Sequence, residues 1–338
     1  MDAKVVCFGE LLLRLTAPGR ELLLQSPQLQ TCFGGAEANV AVSLARLGQR
    51  AAMVSTLPDN ALGAACLGEL RRHGVDVGGV RTGAGRMGLY FLQVGAVLRP
   101  SDILYDRADS AFALADPAGY DWDHLLQGAT WLHLSGITPA VSSRAEAAAM
   151  AAMEAARTRG LTISFDGNYR PKLWQARGGD AAAILHRMAA AADLIFGNER
   201  DVALLLGRDF SALPPDARFQ AAAGAAFDAF PRLHRLVSTT RGHASVDDQS
   251  LGGQMATRSG LVRATPRDLS GIADRIGGGD AFAAGLLHGL LRGFNDQTAL
   301  DFAVAAACLK HSIPGDANLV SEADVQALLE GAGLDVRR

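Results

Sequence analysis

Three consecutive glycines followed by an aspartate, in Asp274-Arg275-Ile276-Gly277-Gly278-Gly279-Asp280-Ala281-Phe282, stand directly before a strongly helical run containing Ala283-Ala284-Gly285-Leu286-Leu287. Backbone N–H groups at a helix start have no intrahelical partner. Without Cβ atoms the chain can bend until several of them converge on one anion at the positive end of the helix dipole. Such a loop cradles a phosphate without lysine. A carboxylate beside it would repel that phosphate, so Asp280 reads as the acceptor for the proton of an attacking hydroxyl, at an ordinary pKa near ~4. Taken alone, an Asp in a first helical turn is also simply favoured by the dipole. A second pair, Gly34-Gly35, precedes the helical pattern Ala36–Gly48. Asn39, in its first turn, can offer both a donor and an acceptor to a polyol, although an Asn there can equally bond its own backbone.

Other motifs carry less. The pattern GxGxxG occurs as Gly83-Ala84-Gly85-Arg86-Met87-Gly88, but β-like Leu89–Val94 follows it where a dinucleotide site needs a helix. The only lysines are Lys4, Lys172 and Lys310, none after a glycine, so there is no Walker A loop. Cys7, Cys32, Cys66 and Cys308 are scattered, with no CxxC spacing, and suggest neither a disulfide framework nor a zinc site.

The elements that must position these residues follow from patterning. Strand-length apolar runs alternate with Ala-rich helical stretches: Val5–Phe8, Ala36–Leu47, Ala51–Ser55 and Ala61–His73. Later come Ala145–Arg157, Leu161–Asp166, Asp180–Ala191, Asp193–Gly197, Glu199–Leu206, Arg235–Thr239, Asp280–Arg292 and Asp296–Lys310. That rhythm implies βαβ units and an α/β fold with a mostly parallel sheet. Two β-rich stretches, about 11–33 and 88–107, break it and suggest a small excursion from the main sheet.

With 338 residues, 49% hydrophobic and 20% charged, the chain has the composition of a soluble globular protein. Thirty-two Lys+Arg against 35 Asp+Glu leave a charge of −3, so neither nucleic acid nor an anionic membrane is an expected partner. Met1-Asp2-Ala3-Lys4 leads into an apolar strand unlike a signal peptide, and a cytoplasmic location is expected.

The two glycine elements, in this order and at opposite ends, resemble the ribokinase-like (PfkB) family of carbohydrate kinases. That family carries a GG…N helix start near the N-terminus and a DTxGAGDxF-type loop near the C-terminus. The resemblance spans nearly the whole chain and implies a single ribokinase-like domain over 1–338, its β lid formed from the two excursions. It implies Asp280 as catalytic base, Gly277, Gly278 and Gly279 as the anion hole, and Gly34, Gly35 and Asn39 at the sugar. Asn198-Glu199-Arg200-Asp201 is similar to the NxxE motif that positions Mg²⁺ and phosphate through water. Asp201 is one methylene shorter than the family's Glu, so Glu199 is a second candidate. Thr240-Arg241-Gly242 matches the TxG turn at the nucleotide phosphates, and helix 296–310 would border the adenine. Asp274 stands at the position associated with a monovalent cation, but Arg275 follows where the family has Thr.

The segment Asp166-Gly167-Asn168-Tyr169-Arg170-Pro171-Lys172-Leu173-Trp174 resembles the DxNxRxxLW stretch of fructokinases and 2-keto-3-deoxygluconate kinases. An acidic sugar needs a cation, and arginine's fork suits a carboxylate, which points to Arg170 and Arg107. Tyr105-Asp106-Arg107 is similar to the Tyr-x-Arg of the keto-deoxygluconate kinases, with Tyr90 on the adjacent lid strand and Asn168 beside the sugar. The resemblance thus implies phosphorylation of the C6 hydroxyl of 2-keto-3-deoxygluconate by ATP with Mg²⁺, and a homodimer joined through the lids. Fructokinase is the alternative. A non-catalytic sugar- or nucleotide-binding protein on the same fold is the competing class, and would have no need of Asp280.

Overall fold

The computed structural model describes residues 3–243 and 248–331; Met1 and Asp2 of the N-terminal reading lie outside them. In chain order the strands are β1 (Lys4–Phe8), β2 (Leu12–Thr16), β3 (Gln30–Gly34), β4 (Arg50–Pro58), β5 (Asp76–Gly83), β6 (Gly88–Gln93) and β7 (Asp102–Asp106). Then follow β8 (Trp131–Ser135), β9 (Thr162–Asp166), β10 (Leu194–Phe196), β11 (Arg235–His243), β12 (Gln249–Thr257) and β13 (Gly260–Leu269).

Nine of them form one sheet in the order β13-β12-β11-β10-β9-β8-β1-β4-β5. From β5 to β11 every pairing is parallel, because each strand is reached through a crossover helix that returns the chain to the same edge. Parallel strands so enclosed are buried on both faces. In β1, Val5 and Cys7 point into one core with Leu44, Phe282 and Leu300, while Val6 and Phe8 point into the other with Ala149, Leu185 and Phe227. Alanine dominates the covering helices Ser143–Thr158, Ala181–Ala191 and Asp296–Lys310, which lets their backbones pack closely. β12 is antiparallel to both β11 and β13, and the β12–β13 extension is one that patterning does not reveal. β12 holds Gly252 and Gly253, and β13 holds Pro266 among charged residues, so neither has the apolar run of a buried strand.

The remaining strands make a separate sheet ordered β3-β2-β6-β7, with β2 and β6 parallel. Its chain segments are those of the two irregular stretches. Leu12, Tyr90 and Leu92 form its apolar inner face, and Ile276 of the glycine loop packs against them. Gly83 ends β5 and Gly88 begins β6, so a strand follows the GxGxxG sequence. No helix among the described residues is long and apolar enough to cross a membrane.

Thr240-Arg241-Gly242 corrects an expectation. These residues are not a turn: β11 continues through them, with Thr240 opposite Gly252 and Gly242 opposite Ser250, because the antiparallel ladder extends the strand past the point where its parallel neighbour β10 ends.

Candidate active site

A cavity of about 610 Å³ opens where β9 and β10 end at their C-terminal edges, beneath the inner face of the small sheet. This is the general location of ligand sites in open parallel sheets. Most helices in the molecule are capped by a side chain, as at Asn60, Ser142, Asp180, Asn295 and Ser321. The helices Ala36–Arg46 and Gly278–Leu291 are not: their N-cap positions are Gly35 and Gly277, both on the cavity wall. Their first N–H groups have no side-chain partner, so two positive helix ends face one space.

Gly277 is a requirement of geometry. Its φ is +79°, and a Cβ would lie 1.7 Å from the carbonyl oxygen of Asp316. Gly278 packs against the His311 ring, whereas at Gly279 nothing lies within 4 Å of the Cβ position.

Asp280 is half-buried on the cavity wall and accepts a 2.7 Å hydrogen bond from Asn39 Nδ2. Asn39, itself on the cavity wall, therefore orients this carboxylate. The expected ordinary pKa is corrected here: burial, opposed by the Asn39 hydrogen bond and reinforced by the charges of Asp316 and Glu37, pushes Asp280 up to about 7. Asp166, at the end of β9, goes up to about 8 through burial and then through Asp280 and Asp201; Arg170 pulls in the opposite direction. In the sequence Asp166 closes the Leu161–Asp166 run and opens the Asp166–Trp174 segment but receives no role, although its place at the end of a parallel strand is a signal for one.

Of the residues singled out in the sequence, Gly35, Asn39, Tyr90, Tyr105, Arg107, Asn168, Arg170, Asn198, Asp201, Arg241, Gly277, Gly278, Gly279 and Asp280 line this one cavity. Gly34, Glu199, Thr240 and Gly242 do not. Gly34 lies beneath it, where a Cβ would meet the Asp316 carboxylate. Of the two acidic candidates in the Asn198 motif, Asp201 lines the cavity and Glu199, at the first helical position, does not. Asp201 Oδ2 accepts from Asn198 N at 2.8 Å and Asn198 Oδ1 from Arg200 N at 2.7 Å, a capping box that fixes both side chains. Burial raises the Asp201 pKa. Helix Asp296–Lys310 contributes no lining residue. Instead of Thr240, the lining takes Ser238, Thr239 and Arg241 from β11.

The two arginines differ. Arg107 is buried and ion-paired with buried Glu10, its Nε at 2.7 Å, and Ser110 donates to the same carboxylate. Arg170 is exposed and bonds no carboxylate among the described residues. Tyr90 donates to Asp316 at 2.6 Å, and Asp316 also holds Arg14 at 2.8 Å. Glu10 and Asp316 were not anticipated, since their role exists only through partners distant in sequence.

Two uncapped glycine helix starts, a carboxylate beside one of them and a polar recess under a small sheet are thus assembled from both ends of the chain. The model of the pfkB family carbohydrate kinases matches residues 2–323. This chain belongs to that family. It is 34% identical over 337 residues to a 2-dehydro-3-deoxygalactonokinase of Haloferax volcanii, covering 99% of this carbohydrate kinase and all of the relative. To a 2-dehydro-3-deoxygluconokinase of Bacillus subtilis the identity is 30% over 322 residues, with 94% and 92% covered. The crystal structure of a 2-dehydro-3-deoxygluconokinase from Thermotoga maritima superposes with a TM-score of 0.92 at 35% identity, over 97% of this kinase and 100% of that chain. The fold is the ribokinase-like one expected from the sequence.

Proposed function

We propose that this carbohydrate kinase transfers the γ-phosphoryl group of ATP to the C6 primary hydroxyl of 2-keto-3-deoxygluconate, giving 2-keto-3-deoxy-6-phosphogluconate. The carrying observation is that the uncapped glycine helix start, Asp280 and Arg170, which bonds no carboxylate among the described residues, all line one cavity. Relatives named for keto-deoxy sugar acids support that class of substrate.

In this reading Asp280, aimed by Asn39, orients the hydroxyl and takes its proton late, once the loose transition state has acidified that oxygen. The N–H groups at Gly277–Gly279 receive the transferring phosphoryl, each such donor contributing ~3 kcal/mol at the transition state. Asn198 and Arg241 lie on the nucleotide side. No cluster of three His, Cys, Asp or Glu that could hold a metal occurs among the described residues. A Mg²⁺ ion carried by the triphosphate fits this donor set, with Asp201 meeting its waters, and would neutralise charge on the leaving phosphate.

Arg170 would pair with the substrate carboxylate, while Arg107, committed to Glu10, shapes the recess with Tyr105. Arg170→Ala should raise KM for the keto-deoxy sugar acid ~10-fold or more, and leave that for fructose nearly unchanged. Equal effects on the two sugars would end the carboxylate assignment. The Haloferax relative is named for the galactonate epimer, which makes that epimer the second reading. A coupled assay of ADP release across keto-deoxygluconate, keto-deoxygalactonate, fructose and ribose decides between them.

The small sheet would act as a lid that excludes water. Leu22, Leu24, Val97, Leu98 and Leu104, on or beside it, are exposed, Leu98 by 94%. Apolar side chains so placed support a homodimer joined through the lids. Sedimentation should show twice the chain mass, with Leu98→Glu together with Leu104→Glu returning it to one. The four free cysteines suit a cytoplasmic, reducing compartment.

A further inference from the structure

Lys310 ends the helix Asp296–Lys310 with its side chain wholly buried. A buried ammonium is expensive unless it is held by oxygen atoms or opposite charge. Here its Nζ donates to two backbone carbonyls, Ile313 O at 3.0 Å and Asp274 O at 3.4 Å. Those carbonyls belong to two different loops. One is the loop that leads through Arg275 and Ile276 into Gly277. The other runs through Gly315 to Asp316, whose carbonyl lies where a Gly277 Cβ would be.

The resemblance to ribokinase-like enzymes implies a monovalent cation near Asp274, and the residues present do not fit one. The Asp274 carboxylate is already taken by Ile276 N at 2.9 Å, Gly315 N at 3.0 Å and Arg14 at 2.7 Å. An ion bound to the Asp274 and Ile313 carbonyls would lie against the ammonium and be repelled by it.

We infer that the Lys310 ammonium is a tethered monovalent cation: it joins the glycine loop to the Ile313–Asp316 loop and holds the anion hole in shape without a dissolved ion. The charges around it are those such a device needs. Burial lowers the pKa of this ammonium and Arg14 adds to the effect, while Asp274, Asp316 and Asp280 work against it by favouring the protonated form. Asp274, Asp316, Arg14 and Lys310 together sum to zero. Lys310 does not line the cavity, so it is a positioning residue that acts through Gly277.

The test compares potassium with tetramethylammonium, which is too large for the cradle, as the only monovalent cation. Wild-type kinase should run at the same rate in both. Lys310→Met keeps the apolar stem and removes the charge. Its kcat should fall ~10²-fold in tetramethylammonium, with KM for the sugar changed far less. Potassium or ammonium should then restore part of both the rate and the melting temperature of this variant only. Activation of the wild type several-fold by potassium would overturn the inference, as would a Lys310→Met enzyme at full rate in tetramethylammonium, or one that no small cation rescues. Should that variant not fold, the wild-type ion titration decides alone. The inference rests on the kinase reading, but the melting-temperature arm needs no substrate, so a wrong sugar would leave it intact.

Discussion

Asp280→Asn is expected to leave sugar and ATP affinities within a few-fold of wild type while lowering kcat ~10³-fold, the loss of a positioned proton acceptor. The raised pKa makes this separation sharp. With an ionisation near 7, the native side chain is a neutral acid for about half of the time at neutral pH, so an amide of the same shape is already a close mimic of one of its normal states. Asn39 is its hydrogen-bond partner, and its Nδ2 can donate as well to an amide oxygen as to a carboxylate. What the variant loses is the form that accepts a proton. The same reasoning sets the pH profile. The active form is the carboxylate, so log kcat/KM should rise with unit slope as pH increases towards about 7, and then level. Folding stability runs the opposite way through this group. The folded chain keeps a proton that the unfolded chain releases near the ordinary carboxylate value of 3.8, so the contribution of Asp280 declines between there and about 7. Steady-state kinetics of Asp280→Asn with turnover close to wild type would refute the base assignment, and a wild-type profile flat from pH 5 to 8 would refute the raised ionisation.

Gly277→Ala should cost at least ~10²-fold in kcat and lower the melting temperature as well. Two separate features produce this. The backbone there has φ +79°, where a Cβ costs ~1–2 kcal/mol. The added atom would also stand 1.7 Å from the Asp316 carbonyl oxygen, which is backbone and cannot swing aside like a side-chain tip. Either the Gly315–Asp316 loop retreats, disturbing the Asp316 carboxylate that holds Tyr90 and Arg14, or the glycine loop shifts and its N–H groups leave the phosphoryl position. A displacement of about 1 Å at such a site costs ~10²-fold in rate. Phosphoryl-transfer assays and thermal melts of the purified variant read both effects. A Gly277→Ala enzyme within a few-fold of wild type would show that the loop does not need this backbone state.

The parallel core and its crossover helices were legible because buried strands and Ala-rich amphipathic helices leave a periodic signal. Glu199–Leu206 and Asp296–Lys310 have the boundaries read from patterning, fixed by their Asn caps. The hairpin β12–β13 left no such signal, since its glycines and Pro266 are tolerated only because neighbouring strands complete the ladder. The short helix Pro171–Arg177 and the longer Pro215–Ala229 also escaped, being begun by prolines and not by a polar cap.

Residue type and spacing were local, so the sequence by itself offered the glycines before a helix, with Asp280 in its first turn, as a candidate phosphate cradle and proton acceptor. Protonation and partnership were not local. Asp280 ionises near 7, Arg107 is occupied by Glu10, Asp201 and not Glu199 faces the cavity, and Lys310 sits on the carbonyls of two loops. Each of these depends on solvent exclusion or on a group tens to hundreds of residues away, quantities that come into existence only when the chain closes on itself.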